Sequence, residues 1–273
     1  EDAWARMFCA YALDRVGESA AARACAEKLR KAPKKFSFLR YILGELLLLN
    51  HCESEAALVE LRAAYAGFPG VWNAKALECE ILLCSGKEKE ALEGMDALLK
   101  ASTGSMEAEA AAWRGEFHLW LGRYKKALAD FEFGLKGGAR FARTWRGAAR
   151  LMLGRFEEAE EDLKTAVEVD PSDTEAWIWT VELFRRTGRR EGALKILERA
   201  DCRNDYWGIL LRAILHSERV DEKGLAEAVE ALPDFVRSAF NESDARASID
   251  LILKRGKGLR RGDPHLAKLW AGR

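Results

Sequence analysis

The sequence predicts an all-α protein, a right-handed α-solenoid of antiparallel helix pairs finished by C-terminal capping helices, and three columns of residues predict it. Six alanines, Ala22, Ala57, Ala91, Ala127, Ala159 and Ala193, recur at intervals of 35, 34, 36, 32 and 34 residues. Gly17, Gly86, Gly122, Gly154 and Gly188 each stand five residues before one of them, and Cys52 interrupts the column in the second unit. Trp113, Trp145 and Trp179 each stand nine residues before the turn glycine of their unit. Self-similarity at this period marks stacked helical hairpins that share one continuous core, because no single hairpin can bury its own apolar face.

Each column has a physical job. Glycine at the end of a first helix takes the positive φ that reverses the chain, without a Cβ penalty. Alanine in the following helix lets the two helices of one hairpin approach, where a larger side chain would part them. Trp113-Arg114-Gly115 and Trp145-Arg146-Gly147 repeat one tripeptide, as duplication of an ancestral segment would leave it. Tyr124 and Phe156, then Phe131 and Leu163, follow the turns at helical spacing and suit packing against the first helix.

In chain order, unit one is expected over 2–35, unit two over 36–70 and unit three over 71–103. Pro33, Pro69-Gly70, Gly104, Gly137-Gly138 and Pro171 mark the joins between units. Unit six is written most fully, from Asp170-Pro171-Ser172-Asp173 through Trp177, Phe184, Gly188, Ala193 and Leu197 to Ala200. Asp-Pro before a helix, a tryptophan near its start, Gly then Ala at the turn and a terminal Ala resemble the tetratricopeptide repeat. Six such units cover 1–204. Arg114 and Arg146 stand where that family usually has leucine, and His118 and Arg150 where it usually has tyrosine. Beyond Cys202, Tyr206–Ser217 and Asp221–Leu232 form a degenerate seventh hairpin. Two more helices after Pro233, one capped by Asn241-Glu242-Ser243-Asp244, complete a C-terminal region over 205–273.

Composition narrows the function. Of 273 residues 49% are hydrophobic, enough for a core spread along an array, and Lys+Arg and Asp+Glu both number 44, so no global field favours nucleic acid or a membrane surface. No apolar run, Leu46-Leu47-Leu48-Leu49 included, approaches the length of a bilayer span. Cys9, Cys25, Cys52, Cys79, Cys84 and Cys202 contain no C-x-x-C pair and read as reduced, buried thiols in a cytoplasmic setting, with a disulfide between units left open. His51, His118, His216 and His265 are too scattered for a zinc site, and no cofactor is expected. The chain starts at Glu1, as expected of a sequence beginning inside a longer protein or after a removed segment. Lys254 to Gly262 carries five basic residues in nine positions and reads as a solvated connector, with phosphate docking the alternative.

The candidate site lies on the first helices. The family resemblance implies that these line a concave groove that receives a peptide or helix of another protein. By the register of the turns, Trp113, Trp145 and Trp179 point toward that groove, with Trp120 beside them. Rigid amphipathic rings make strong anchors. Arg114, His118, Arg146 and Arg150, with Arg140 and Arg143 nearby, add a basic set that could grip a carboxylate or phosphate. The competing reading puts the rings between hairpins and pairs the basic set with Glu116, Glu175 or Glu182. No phosphate loop, nucleophile turn or His-Glu metal motif is present, so an enzyme is not expected. The expected function is a non-catalytic protein–protein interaction scaffold. The alternatives are the recruiting arm of a larger enzyme, such as a group-transferase, and self-assembly with Trp270 as a plug.

Overall fold

The computed structural model describes residues 37–51, 54–199, 206–218 and 221–230, with isolated helical positions at 8–10, 12–13, 21, 24–25, 28–29 and 202. Most of unit one, Cys52, the helices expected after Pro233, the 254–262 basic stretch and Trp270 lie outside the described residues. Every described regular element is a helix. They pair off as expected: α1 (Ser37–His51) with α2 (Ser54–Gly67), and α3 (Trp72–Cys84) with α4 (Glu88–Ala101). Next come α5 (Ser105–Trp120) with α6 (Tyr124–Lys136), and α7 (Ala142–Met152) with α8 (Phe156–Val169). Last come α9 (Thr174–Arg186) with α10 (Arg190–Leu197), and α11 (Tyr206–Glu218) with α12 (Glu222–Glu230).

The chain forms two compact units, the first holding Glu1–Met106 and the second Glu107–Gly258. The division falls inside the repeat array. In the first unit α2 leans on α3, and α1 touches α3. In the second, α6 packs on α7, α8 on α9 and α10 on α11, while α9 touches both α7 and α11. Each unit is thus a file of hairpins in which neighbours lean on one another.

The turn glycines do what their column predicts. Gly86, Gly122, Gly154 and Gly188 have φ of 80°, 71°, 75° and 78°, and at Gly86, Gly154 and Gly188 open space surrounds the place where a Cβ would stand. Conformation, not crowding, selects glycine there. The residue after each glycine donates its backbone N–H to a carbonyl five residues back, Lys87 to Leu82, Arg123 to His118, Arg155 to Arg150 and Arg189 to Phe184, closing the helix with a Schellman motif. Ala57, Ala91, Ala127, Ala159 and Ala193 are fully buried in the helices that follow.

The core is distributed along the file. Leu151, Ala159, Leu163 and Leu183 close the seam between the fifth and sixth hairpins, with Phe156, Trp179 and Phe184 packed around them. Val181, Ala193, Leu197, Cys202, Leu211 and Leu215 close the next seam, which joins α11 to the array. Aliphatic burial of this kind supplies the main stabilisation of both seams.

Candidate functional site

The repeated Trp-Arg-Gly tripeptide organises the first helices α5 and α7, and each of its residues has a separate task. Glycine sets the helix–helix distance: a Cβ on Gly115 would stand 2.8 Å from Phe131 Cε1, and one on Gly147 would stand 2.9 Å from Leu163 Cγ. With the backbones this close, arginine reaches across the hairpin. Arg114 donates from Nε to Asp130 Oδ2 at 2.9 Å and from Nη2 to Oδ1 at 2.6 Å. Arg146 repeats the geometry on Asp162, at 2.8 Å and 2.6 Å. These are two-pronged guanidinium–carboxylate clamps, sixteen residues apart in sequence in both hairpins.

In the fifth hairpin further arginines join the clamp. Arg150 Nη1 donates to Asp162 Oδ2 at 2.7 Å, and Arg143 Nη1 approaches Oδ1 at 3.8 Å. The hydrogen bond to Asp162 raises the Arg146 guanidinium above its ordinary range. The sixth hairpin has Thr180 at the arginine position and carries its buried acid elsewhere. There Glu182 accepts from Arg185 and Arg186 of its own helix, both at 2.7 Å, and Arg185 also reaches Glu218 of α11 at 2.6 Å.

The tryptophans remain as the open part of the tripeptide. Trp113, Trp145 and Trp179 are half-buried. Trp145 and Trp179 meet edge to face across α7 and α9, with ring centroids 6.4 Å apart and planes at 74°. Such a pair is favourable beyond its area. Beside it Thr144 Oγ1 donates to Asp173 Oδ2 at 2.7 Å, and Asp173 Oδ1 accepts from Ala176 N at 3.0 Å to cap α9. One aspartate therefore starts the sixth hairpin and ties it to the fifth.

Other expected site residues are placed differently. Trp120 is 7% exposed and stacks on Phe117, so it is part of the core of its hairpin. His118 is 8% exposed, with Nε2 at 3.9 Å from Asp130 Oδ2 and no hydrogen-bond partner for Nδ1. Burial pushes its pKa below the ordinary histidine value, against the pull of Asp130. Arg114, Arg146 and Arg150 do not form a ladder of open cations, because their guanidinium groups are turned inward onto Asp130 and Asp162. The acidic partners were the residues missed from sequence. They lie on the second helices, and the sixteen-residue spacing shared by Arg114–Asp130 and Arg146–Asp162 was the signal that could have found them. Among the described residues no three His, Cys, Asp or Glu side chains gather as metal ligands, and no helix is long and apolar enough to cross a membrane.

Residues 146–206 match the tetratricopeptide repeat family. No curated protein is similar to the chain in sequence. A tetratricopeptide repeat protein from Parabacteroides merdae is 17% identical, with a TM-score of 0.58 over 91% of this chain and 98% of that one. YrrB, described as a tetratricopeptide repeat protein with an unusual peptide-binding site, is 18% identical, with a TM-score of 0.41 over 72% of this chain and 98% of its own. PilW, a type IV pilus biogenesis factor, is 16% identical, with a TM-score of 0.42 over 90% and 97%. The family is one of protein–protein interaction scaffolds. The resemblance to it is therefore carried by sequence over residues 146–206 and by fold over most of the chain: this is an all-α array of tetratricopeptide-type hairpins.

Proposed function

We propose that the chain is a non-catalytic scaffold that receives a peptide segment or helix of a partner protein on the first helices of its second unit, with Trp113, Trp145 and Trp179 as anchors. In this reading residues 1–204 are six hairpins, and 205–273 are a seventh with a helical cap. The supporting observation is the half-open Trp145–Trp179 pair, set on two adjacent first helices joined by the Thr144–Asp173 hydrogen bond. The Arg–Asp clamps serve the site indirectly by fixing the helix that carries each ring. Rings that are ordered before binding spare the partner much of the ordering cost. Because Arg114, Arg146 and Arg150 face Asp130 and Asp162, the face offers no comb of cations to a nucleic-acid backbone, and a protein partner fits it better.

The test is a random-peptide display selection on the purified chain. Affinities of the selected peptides are then measured for the wild type and for Trp145→Ala. The proposal expects losses of about tenfold or more with helicity unchanged. Peptides that bind both proteins equally would overturn it.

A further inference from the structure

The place that the Arg–Asp clamp occupies in two hairpins is held by two thiols near the start of the chain. Counted from the turn glycine, Arg114 and Asp130 stand eight residues to either side of Gly122, and Arg146 and Asp162 eight to either side of Gly154. Around Gly17 the same two positions are Cys9 and Cys25. The structure brings this pair together as it does the others: both residues are helical, and Cys25 Sγ lies 3.8 Å from Cys9 Sγ. Contrary to the burial expected from sequence, Cys9 is exposed and Cys25 half-buried, so reagents in solution reach the pair.

We propose that Cys9 and Cys25 are a redox modification site that closes reversibly into an intramolecular disulfide. A disulfide bond is about 2.05 Å long, so the two sulfurs need to approach by less than about 2 Å, which side-chain rotation supplies. The oxidant class is a low-molecular-weight disulfide such as glutathione disulfide. The Cys9 thiolate attacks one of its sulfurs, that S–S bond breaks, and one glutathione thiolate leaves. The Cys25 thiolate then attacks Cys9 Sγ in the mixed disulfide and expels the second glutathione. In sum two protein thiols give up two protons and two electrons, and one glutathione disulfide becomes two glutathione thiols.

The contrast with Cys79 argues for selectivity. That side chain is fully buried, and burial pushes its thiol up to about 12, so it presents neither access nor thiolate at neutral pH. Closing the Cys9–Cys25 link joins two helical segments at the positions that the fourth and fifth hairpins join by hydrogen-bonded charge. The inference stands apart from the peptide-binding proposal, since it concerns the first unit and needs no partner.

The experiment equilibrates the full chain with graded ratios of reduced to oxidised glutathione, blocks remaining thiols with iodoacetamide, and maps the peptides by mass spectrometry. The expected product is monomeric, lighter than the reduced chain by two hydrogens, with Cys9 and Cys25 linked to each other and unalkylated. Proteolysis between them should slow by roughly tenfold in that form. Cys9→Ser and Cys25→Ser should each trap the remaining thiol as a glutathione adduct, and dithiothreitol should restore both wild-type thiols. Separate glutathione adducts on Cys9 and Cys25 without a link, links between two chains, or full alkylation of both at the oxidising end would each overturn the proposal.

Discussion

Asp162 Oδ1 lies 2.6 Å from Arg146 Nη2 on the facing helix, and the Asp162 side chain is only 1% exposed. A carboxylate so deeply placed is tolerable because two guanidinium groups neutralise it and satisfy both of its oxygens. Arg146 stands where the tetratricopeptide pattern usually has leucine. The clamp is directional, and it constrains the rotation of α7, the helix that carries Trp145.

Asp162→Ala should therefore destabilise the chain by about 3 kcal/mol, since it strands Arg146 and Arg150 in a largely buried place. Replacing the set together, as Arg146→Leu, Arg150→Tyr and Asp162→Ala, should cost less than the single change because no uncompensated charge is left. Urea denaturation followed by circular dichroism compares the two. A triple variant less stable than the single one would show that the charges contribute more than mutual compensation.

Gly147→Ala should cost about 1–3 kcal/mol through overpacking, because the new methyl meets Leu163 Cγ at 2.9 Å and Leu163 is fully buried. Gly154→Ala should cost about 1–2 kcal/mol for a different reason, its φ of 75° in open space. On a Leu163→Ala background the first cost should shrink while the second stays the same. A double-mutant cycle reads this directly.

His118 gives the chain an acid-sensitive element. Its pKa is lowered in the folded state, mainly by burial, so the unfolded chain binds the proton first as pH falls. Stability is then fully present above the unfolded value of about 6.5 and declines below it, toward the lowered folded value, by up to about 1.4 kcal/mol per pH unit. His118→Tyr, which places the family's usual residue there, should flatten this part of the pH profile. Thermal unfolding between about pH 7 and 5 checks it, and equal slopes for the two proteins would count against the assignment.

Trp145→Ala and Trp179→Ala should differ in kind. Trp179 packs on the seam of Leu151, Leu163 and Leu183, so its loss should lower stability by about 2–4 kcal/mol as well as any affinity. Trp145 meets the seam through the edge of Trp179, and its loss should act chiefly on affinity for selected peptides. Measuring both quantities on both variants separates anchor from core.

Much of this was written in residue types and spacing. The alanine and glycine columns foretold the hairpins, their turns and their file order, because a turn needing positive φ and a close helix contact each admit few residues. The tryptophan column marked the face on which the proposed site is placed. The columns did not tell what the basic residues do. Arg146 reads from sequence as an open cation, and nothing local to α7 shows that Asp162, sixteen positions on, is turned toward it.

The sequence by itself determined the helical hairpin, its period and the family it resembles, since these depend on local backbone preference and on repetition. Tertiary structure alone decided which polar side chains are spent inside the protein and which stay outside. That choice depends on the distance between two helices, set here by Gly115 and Gly147, and a carboxylate leaves water only when a partner stands within hydrogen-bond reach. Packing likewise buries Trp120 and His118 and leaves Trp145 and Trp179 half-buried, edge to face.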